Sequence, residues 1–183
     1  ERAPGRRPRP ADAAGGRPKA TSAAERLRQL NSEVTVDPRV EELTPKSALR
    51  LLRGCDLVID GSDNLYTRYV INDAALELGK PWVHGAATAT HGVVFPVAAG
   101  GSPCFRCYRP EQPVAERGCA VAGVLAATTH MVASLQVSAA TQLLLGVDPE
   151  AGVLYIDPWH AVHERMEVPR DPACSACGSG RSN

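Results

Sequence analysis

Residues 56–86 read DLVIDGSDNLYTRYVINDAALELGKPWVHGA, and the fold class follows from this stretch. Leu57-Val58-Ile59 is a fully apolar run bounded by Asp56 and Asp60, the pattern of a central parallel strand buried on both faces. Asp60-Gly61-Ser62-Asp63-Asn64 then turns the chain into a helix that runs to about Leu78, with Gly79 as its C′ residue and Pro81 just beyond. Trp82-Val83-His84-Gly85-Ala86 supplies a second strand. Strand, helix and strand make one βαβ unit, whose crossover is expected to be right-handed.

Working outward, Thr44 before Pro45 predicts an N-cap with proline at the first helical position, and Gly54 stops that helix. Further back, Ala20, Ala23, Ala24, Leu27 and Leu30 mark one stripe of a helix from Lys19 to near Asn31, and Glu33–Val36 reads as a short strand. Glu1–Pro18 holds five Arg, four Pro and three Gly without an apolar face, so disorder or truncation is expected there. Downstream, His91–Val97 is expected to run antiparallel to the preceding strand, because only Ala87–Thr90 joins them. Val121–Leu145 reads as a buried helix interrupted by Thr128, Thr129, His130, Gln136 and Gln142, and Val153–Ile156 and His163–Val168 as closing strands. The expected fold is α/β, a Rossmann-like, mostly parallel sheet. The folded domain is expected to span residues 19–178, with 179–183 as a tail.

Two Cys-x-x-Cys pairs, Cys104-Phe105-Arg106-Cys107 and Cys174-Ser175-Ala176-Cys177, suggest a four-thiolate structural Zn²⁺ site. With four protein ligands no position is left for water, so such an ion staples the fold. Two disulfides or a redox pair are the alternatives. Cys55 has no partner at motif spacing and reads as core.

Composition narrows the function classes. Twenty Lys and Arg balance 20 Asp and Glu, which argues against a dedicated nucleic-acid binder. No signal-peptide pattern opens the chain and no apolar run is long enough to span a bilayer, so a cytoplasmic protein is expected. Neither a Gly-x-Ser-x-Gly elbow nor a complete phosphate loop occurs. In a doubly wound sheet, phosphate chemistry belongs at helix N-termini beyond the strand ends, where Asp60–Asn64 lies. A carboxylate there can hold Mg²⁺, or Ser62 or Asp63 can simply cap the helix. The five histidines, including His84 on a strand, carry little signal.

The order of these motifs resembles a known family. Gly16-Arg17-Pro18-Lys19-Ala20, Glu25-Arg26-Leu27, Asp60–Asn64 with Thr67-Arg68 and Asn72-Asp73, the first Cys pair, Cys119 before Ala122-Gly123-Val124-Leu125, and the closing Cys174–Gly178 are similar to the ThiF/MoeB/HesA adenylating enzymes. These are bacterial relatives of the ubiquitin-activating enzymes, from the thiamine and molybdopterin branch. The resemblance implies binding of ATP and Mg²⁺, and adenylation of the C-terminal Gly-Gly carboxylate of a ubiquitin-like sulfur carrier, in a homodimer. It implies that Lys19 contacts the ATP phosphates and that Asp63 holds magnesium, with Asn64 and Arg68 shaping the site. It implies that Cys119 can bond covalently to the carrier. The residues themselves leave Cys119 open between a nucleophile near Arg117 and a small buried residue at a helix entrance.

The family's opening βαβ unit, with its glycine-rich nucleotide loop, has no counterpart here. A domain incomplete at its N-terminus is therefore expected, and the apolar run at Leu57–Ile59 should miss one neighbour. Such a chain reads first as a fragment of a complete enzyme, and after that as a degenerate relative or as one half of an assembly. Adenylation is the leading function, and a non-catalytic, zinc-stapled carrier-binding or scaffold protein is the alternative.

Overall fold

The computed structural model describes residues 16–101, 103–110 and 123–178. The expectations for residues 1–15, for the loop around 111–122 with Cys119, and for the tail 179–183 lie outside the described residues. The chain divides into two compact units, Glu1–Glu42 and Leu43–Asn183.

In the first unit, α1 spans Lys19–Leu30 as its spacing predicts. Ala24 is buried, but Leu27 and Leu30 are exposed, so the expected apolar stripe is covered only in part. No strand forms at Glu33–Val36, against expectation. The Asn31 side chain accepts from the Glu33 N–H at 2.9 Å and Arg28 donates to the Val36 carbonyl at 2.6 Å, so local side chains take the groups a ladder would need.

The second unit holds α2 (Pro45–Leu52), β1 (Val58–Asp60), α3 (Leu65–Glu77), β2 (Trp82–Thr88), β3 (His91–Val97), α4 (Phe105–Tyr108), α5 (Ala126–Leu144), β4 (Val153–Asp157) and β5 (Val162–Met166). Thr44 caps α2 through a reciprocal pair with Ser47, whose N–H donates to Thr44 Oγ1 while Ser47 Oγ accepts from the Thr44 N–H. Gly79, at φ +62°, ends the α3 segment as the sequence predicts.

The strands lie in the order β1-β2-β3-β4-β5. The α/β reading holds, but the sheet is mixed rather than mostly parallel. Only β1 and β2 pair in parallel, with Asp60 opposite His84, and the other three pairings are antiparallel. The reason is connection length. Thr88 and His91 are paired and only Ala89-Thr90 joins them, too short a link for a parallel crossover. Ala89 sits at φ +51°, and its N–H and carbonyl bond to Gly123 and Leu125, which hold this turn in place.

Among the described residues β1 is an edge strand, not a central one, and Ile59 is 49% exposed on it. Side-chain alternation along β2 sorts the core into two layers. Trp82 joins Ile71, Phe95 and Phe105 on one face. Val83 joins Val94, Val132, Leu154 and Ile156 on the other, beneath α5. Val132, Gln136, Ala139 and Ala140 of α5 are buried while Met131, Val137 and Leu144 are exposed, so this helix is half-covered rather than buried. No helix among the described residues is long and apolar enough to cross a membrane.

Candidate metal centre and anion-binding cleft

Two features meet on α3: a cysteine knuckle held by Asn72 and Asp73 past its midpoint, and a polar cleft at its head.

The four thiols of Cys104, Cys107, Cys174 and Cys177 lie within 4.8 Å of one another and could hold a metal ion. Cys104 and Cys174 sulfurs are 3.7 Å apart and those of Cys107 and Cys177 3.5 Å, too long for disulfides and close to the ~3.8 Å edge of a thiolate tetrahedron built on ~2.3 Å metal–sulfur bonds. All four are free cysteines, as is the half-buried Cys55. The first pair turns on α4, where the Cys104 carbonyl accepts from the Cys107 N–H at 3.0 Å. In the second, the Gly178 N–H donates to the Cys174 carbonyl at 2.9 Å. A Cβ on Gly178 would lie 2.5 Å from the Pro172 oxygen and 2.6 Å from that of Cys174, so this knuckle closes only on glycine. Burial pushes the Cys104 thiol well up. Burial also opposes ionisation of Cys174, but backbone N–H groups of Cys177 and Ala176 outweigh it and pull its pKa down. A cation at the centre would neutralise these sulfurs.

Helix α3 clasps the first knuckle. Asn72 is fully buried and its Oδ1 accepts from the Phe105 N–H at 2.9 Å. Arg106 makes a two-pronged pair with Asp73, at 2.9 and 2.6 Å, and its guanidinium lies 4.5 Å from the Tyr69 ring centre. Sequence reasoning quoted Asn72-Asp73 without a role. An asparagine set among the apolar Val70, Ile71, Ala74 and Ala75 was the signal available.

At the head of α3, the turn Asp60–Asn64 leaves the end of β1. The N-cap is Asn64, whose Oδ1 accepts from the Thr67 N–H at 2.8 Å, not Ser62 or Asp63 as expected. An asparagine three residues before Thr67 fits that geometry, and it leaves Asp63 exposed, with the Asn64 amide 3.4 Å away. Arg68 folds back to donate to the Ser62 carbonyl at 2.9 Å, with its Nε 3.8 Å from Asp60. Asp63, Asn64 and Arg68 thus share one turn. Lys19, exposed at the start of α1, belongs to the other unit. Ser62 Oγ and Arg68 Nε are buried beside the Asp60 carboxylate and a helix N-terminus, with Arg68 Nε held there only by the 3.8 Å ion pair. That arrangement suits an anion.

Sequence reasoning missed the pair beneath this turn. Asp60 is buried; its Oδ2 meets His84 Nδ1 at 2.8 Å and its Oδ1 accepts from the Ser62 N–H at 2.8 Å. Burial alone would raise the Asp60 pKa, but these hydrogen bonds reverse the sign and hold it below the usual value. His84 is equally buried. Burial lowers its pKa, Asp60 resists, and Arg68 and Arg109 add to the lowering. From the other face Gln136 of α5 donates to the carbonyls of Asp60 at 2.8 Å and Val83 at 3.1 Å. His84 lines a cleft of about 450 Å³ with Arg68, Tyr69, Phe105, Tyr108 and Arg109. The Tyr69 hydroxyl donates to the Arg109 carbonyl at 3.0 Å across its rim.

Known proteins fit this architecture. The sulfur carrier protein adenylyltransferase of Thermus thermophilus is 42% identical over 172 residues, covering 89% of this chain and 64% of that protein. The sulfur carrier protein ThiS adenylyltransferase of Bacillus subtilis is 35% identical over 166 residues, covering 88% and 49%. The chain thus spans about half to two thirds of the length of these relatives. Among solved structures, Escherichia coli MccB superposes with a TM-score of 0.74 over 92% of this chain and 52% of its own, at 15% identity, a likeness of fold alone. The ThiF family model matches residues 8–176, nearly the whole chain. With the βαβ unit, the α3 turn and the sequence match agreeing, the chain belongs to the ThiF family.

Proposed function

We propose that the chain carries out ATP-dependent adenylation of the C-terminal glycine of a ubiquitin-like sulfur carrier. The carboxylate oxygen attacks the α-phosphorus of ATP, the bond to the β-phosphate breaks, and acyl-adenylate and pyrophosphate leave. The observation that carries this reading is the family match over residues 8–176, supported by the guanidinium of Arg68 beside the N-terminus of α3. Relatives named as sulfur carrier adenylyltransferases support it.

Each residue has a role in this scheme. Asp63, exposed beside the donors, holds Mg²⁺, a hard cation suited to carboxylate and phosphate oxygens. Asn64 fixes the helix start, so that α3 presents its N–H groups to phosphate, and Arg68 adds charge within the same turn. Lys19 contacts the phosphates and Cys119 takes the carrier covalently in a later sulfur-transfer step. ATP supplies the leaving group; the chain's residues position it and screen its charge. The four cysteines hold Zn²⁺, a reading supported by their separations and by the absence of a harder donor among them. In this reading the enzyme works in the cytoplasm as a homodimer, and adenylation also requires a glycine-rich nucleotide loop, a motif that does not occur in these 183 residues.

Carrier-dependent ATP–pyrophosphate exchange tests the reading, using Gly-Gly-ending carriers and the chain joined to a partner that supplies the loop. Exchange is expected, and Asp63→Asn should abolish it without changing the far-UV spectrum. Exchange retained in Asp63→Asn would return Asp63 to a solvated turn residue.

A further inference from the structure

The Asp60–His84 pair underlies the α3 turn, where Asp60 holds the Ser62 N–H and lies 3.8 Å from Arg68, and His84 lines the cleft beside it. The geometry of the pair fixes a tautomer. An ionised Asp60 only accepts, so the hydrogen of the 2.8 Å contact belongs to His84 Nδ1. Nε2 then keeps its lone pair and is the ring's remaining polar atom in the cleft. Protonating it would place a further cation among Arg68 and Arg109 in a buried site, which is why the imidazole stays neutral. The ring itself is clamped, with the Phe105 centroid 4.8 Å away edge-on and Trp82 at 6.1 Å.

Among the described residues, the lining of the cleft combines a fixed acceptor, His84 Nε2, with the guanidinium groups of Arg68 and Arg109. A matching ligand carries an N–H or O–H close to an oxygen anion. The fully ionised phosphate groups of a nucleotide lack the donor. An extended peptide end has both, its carboxylate lying one residue, about 3.5 Å, from a backbone N–H. Arg68 belongs both to this lining and to the proposed phosphate turn, so a tail held in the cleft lies next to that turn.

We infer that His84, oriented by Asp60, is a specificity-determining residue that accepts a hydrogen bond through Nε2 from a backbone N–H of the carrier's Gly-Gly tail. This rests on the proposed adenylation. It adds that the enzyme selects an intact peptide N–H, and that Asp60 acts as a positioning residue by holding the tautomer.

The test uses semisynthetic carriers in which glycolate replaces either the last or the penultimate glycine, exchanging one N–H for an ester oxygen without adding bulk. Their affinities for the protein are measured by calorimetry, alongside that of ATP. One of the two is expected to bind about 3- to 10-fold more weakly than the parent, the worth of one hydrogen bond. His84→Phe should bind the parent carrier with the same loss, show no further loss with that glycolate carrier, and leave ATP affinity unchanged. The glycolate comparison needs no variant, so it decides even if His84→Phe fails to fold. Parent and both glycolate carriers binding alike would overturn the inference, as would an ester penalty that persists in His84→Phe. A variant that weakens ATP instead would place the imidazole against the ribose and equally overturn it. If no Gly-Gly carrier binds the wild-type protein, the proposed function itself falls, an outcome distinct from these.

Discussion

Replacing Gly85 with alanine should be among the most damaging single-methyl changes in the sheet. Gly85 faces α5 from β2, and a Cβ there would lie 2.5 Å from both the nitrogen and the oxygen of the Gln136 amide, below any real contact distance. The amide cannot retreat without releasing the Asp60 and Val83 carbonyls. Two such hydrogen bonds are worth about 2 kcal/mol, and forcing a methyl into a packed layer adds about 1–3 kcal/mol, giving a loss of about 3–5 kcal/mol. At about 2–4 °C per kcal/mol for a chain of this size, the melting midpoint should fall by about 10 °C. In an unobstructed strand the same change would be neutral or mildly stabilising, because alanine has less unfolded-state freedom to lose. Urea unfolding gives the cleanest assay, with Gly85→Ala made in the native and in the Gln136→Ala backgrounds. Without the amide, Gly85→Ala should cost less than about 1 kcal/mol. An equal cost in both backgrounds would show that the amide is not what the methyl meets, and would refute the reasoning.

Two further outcomes concern the metal centre and the buried pair. Cys177→Ser should release bound zinc and, because binding energy at such a site is folding energy, destabilise the protein severely; elemental analysis of the purified variant checks this, and unchanged zinc content would end the four-thiolate reading. His84 has its folded pKa below the ordinary 6.5, so below that pH the unfolded chain binds more protons, and the stability the neutral ring contributes is present above about pH 6.5 and lost as pH falls. Asp60, also lowered, acts with the same sign from about pH 3.8 downward. The urea midpoint should therefore drop between pH 7 and 5.5 by more in the wild type than in His84→Phe, and equal drops would count against the depressed histidine.

Local signals were legible in the sequence wherever one residue type forces one geometry. Pro45 after Thr44 set the start of α2, Gly79 the end of α3, and the Cys-x-x-Cys spacing the four-sulfur cluster. Strand direction was less legible. The short link after β2 announced the antiparallel return of β3, but the directions of β4 and β5, whose antiparallel pairings make the sheet mixed, were not legible. The Asp60–His84 pair was invisible for a different reason. The partners are 24 positions apart, and parallel register between β1 and β2 alone makes them neighbours. A histidine on a strand gives no hint of this until the strand opposite is known. Likewise Glu33–Val36 has strand composition, but Asn31 and Arg28 claim its backbone first.

The cysteine clip has a topological consequence. It ties Cys104 to Cys174 across 70 positions, so with metal bound the intervening chain, including α5, β4 and β5, is a closed ring. Ring-closure entropy grows only with the logarithm of length, and enlarging this ring by half would cost about 0.4 kcal/mol. The ring can therefore gain or lose residues over evolutionary time with little penalty to the clip. A single backbone cut inside it would leave the two pieces joined through sulfur and metal, in addition to the β3–β4 pairing that a chelator would not break.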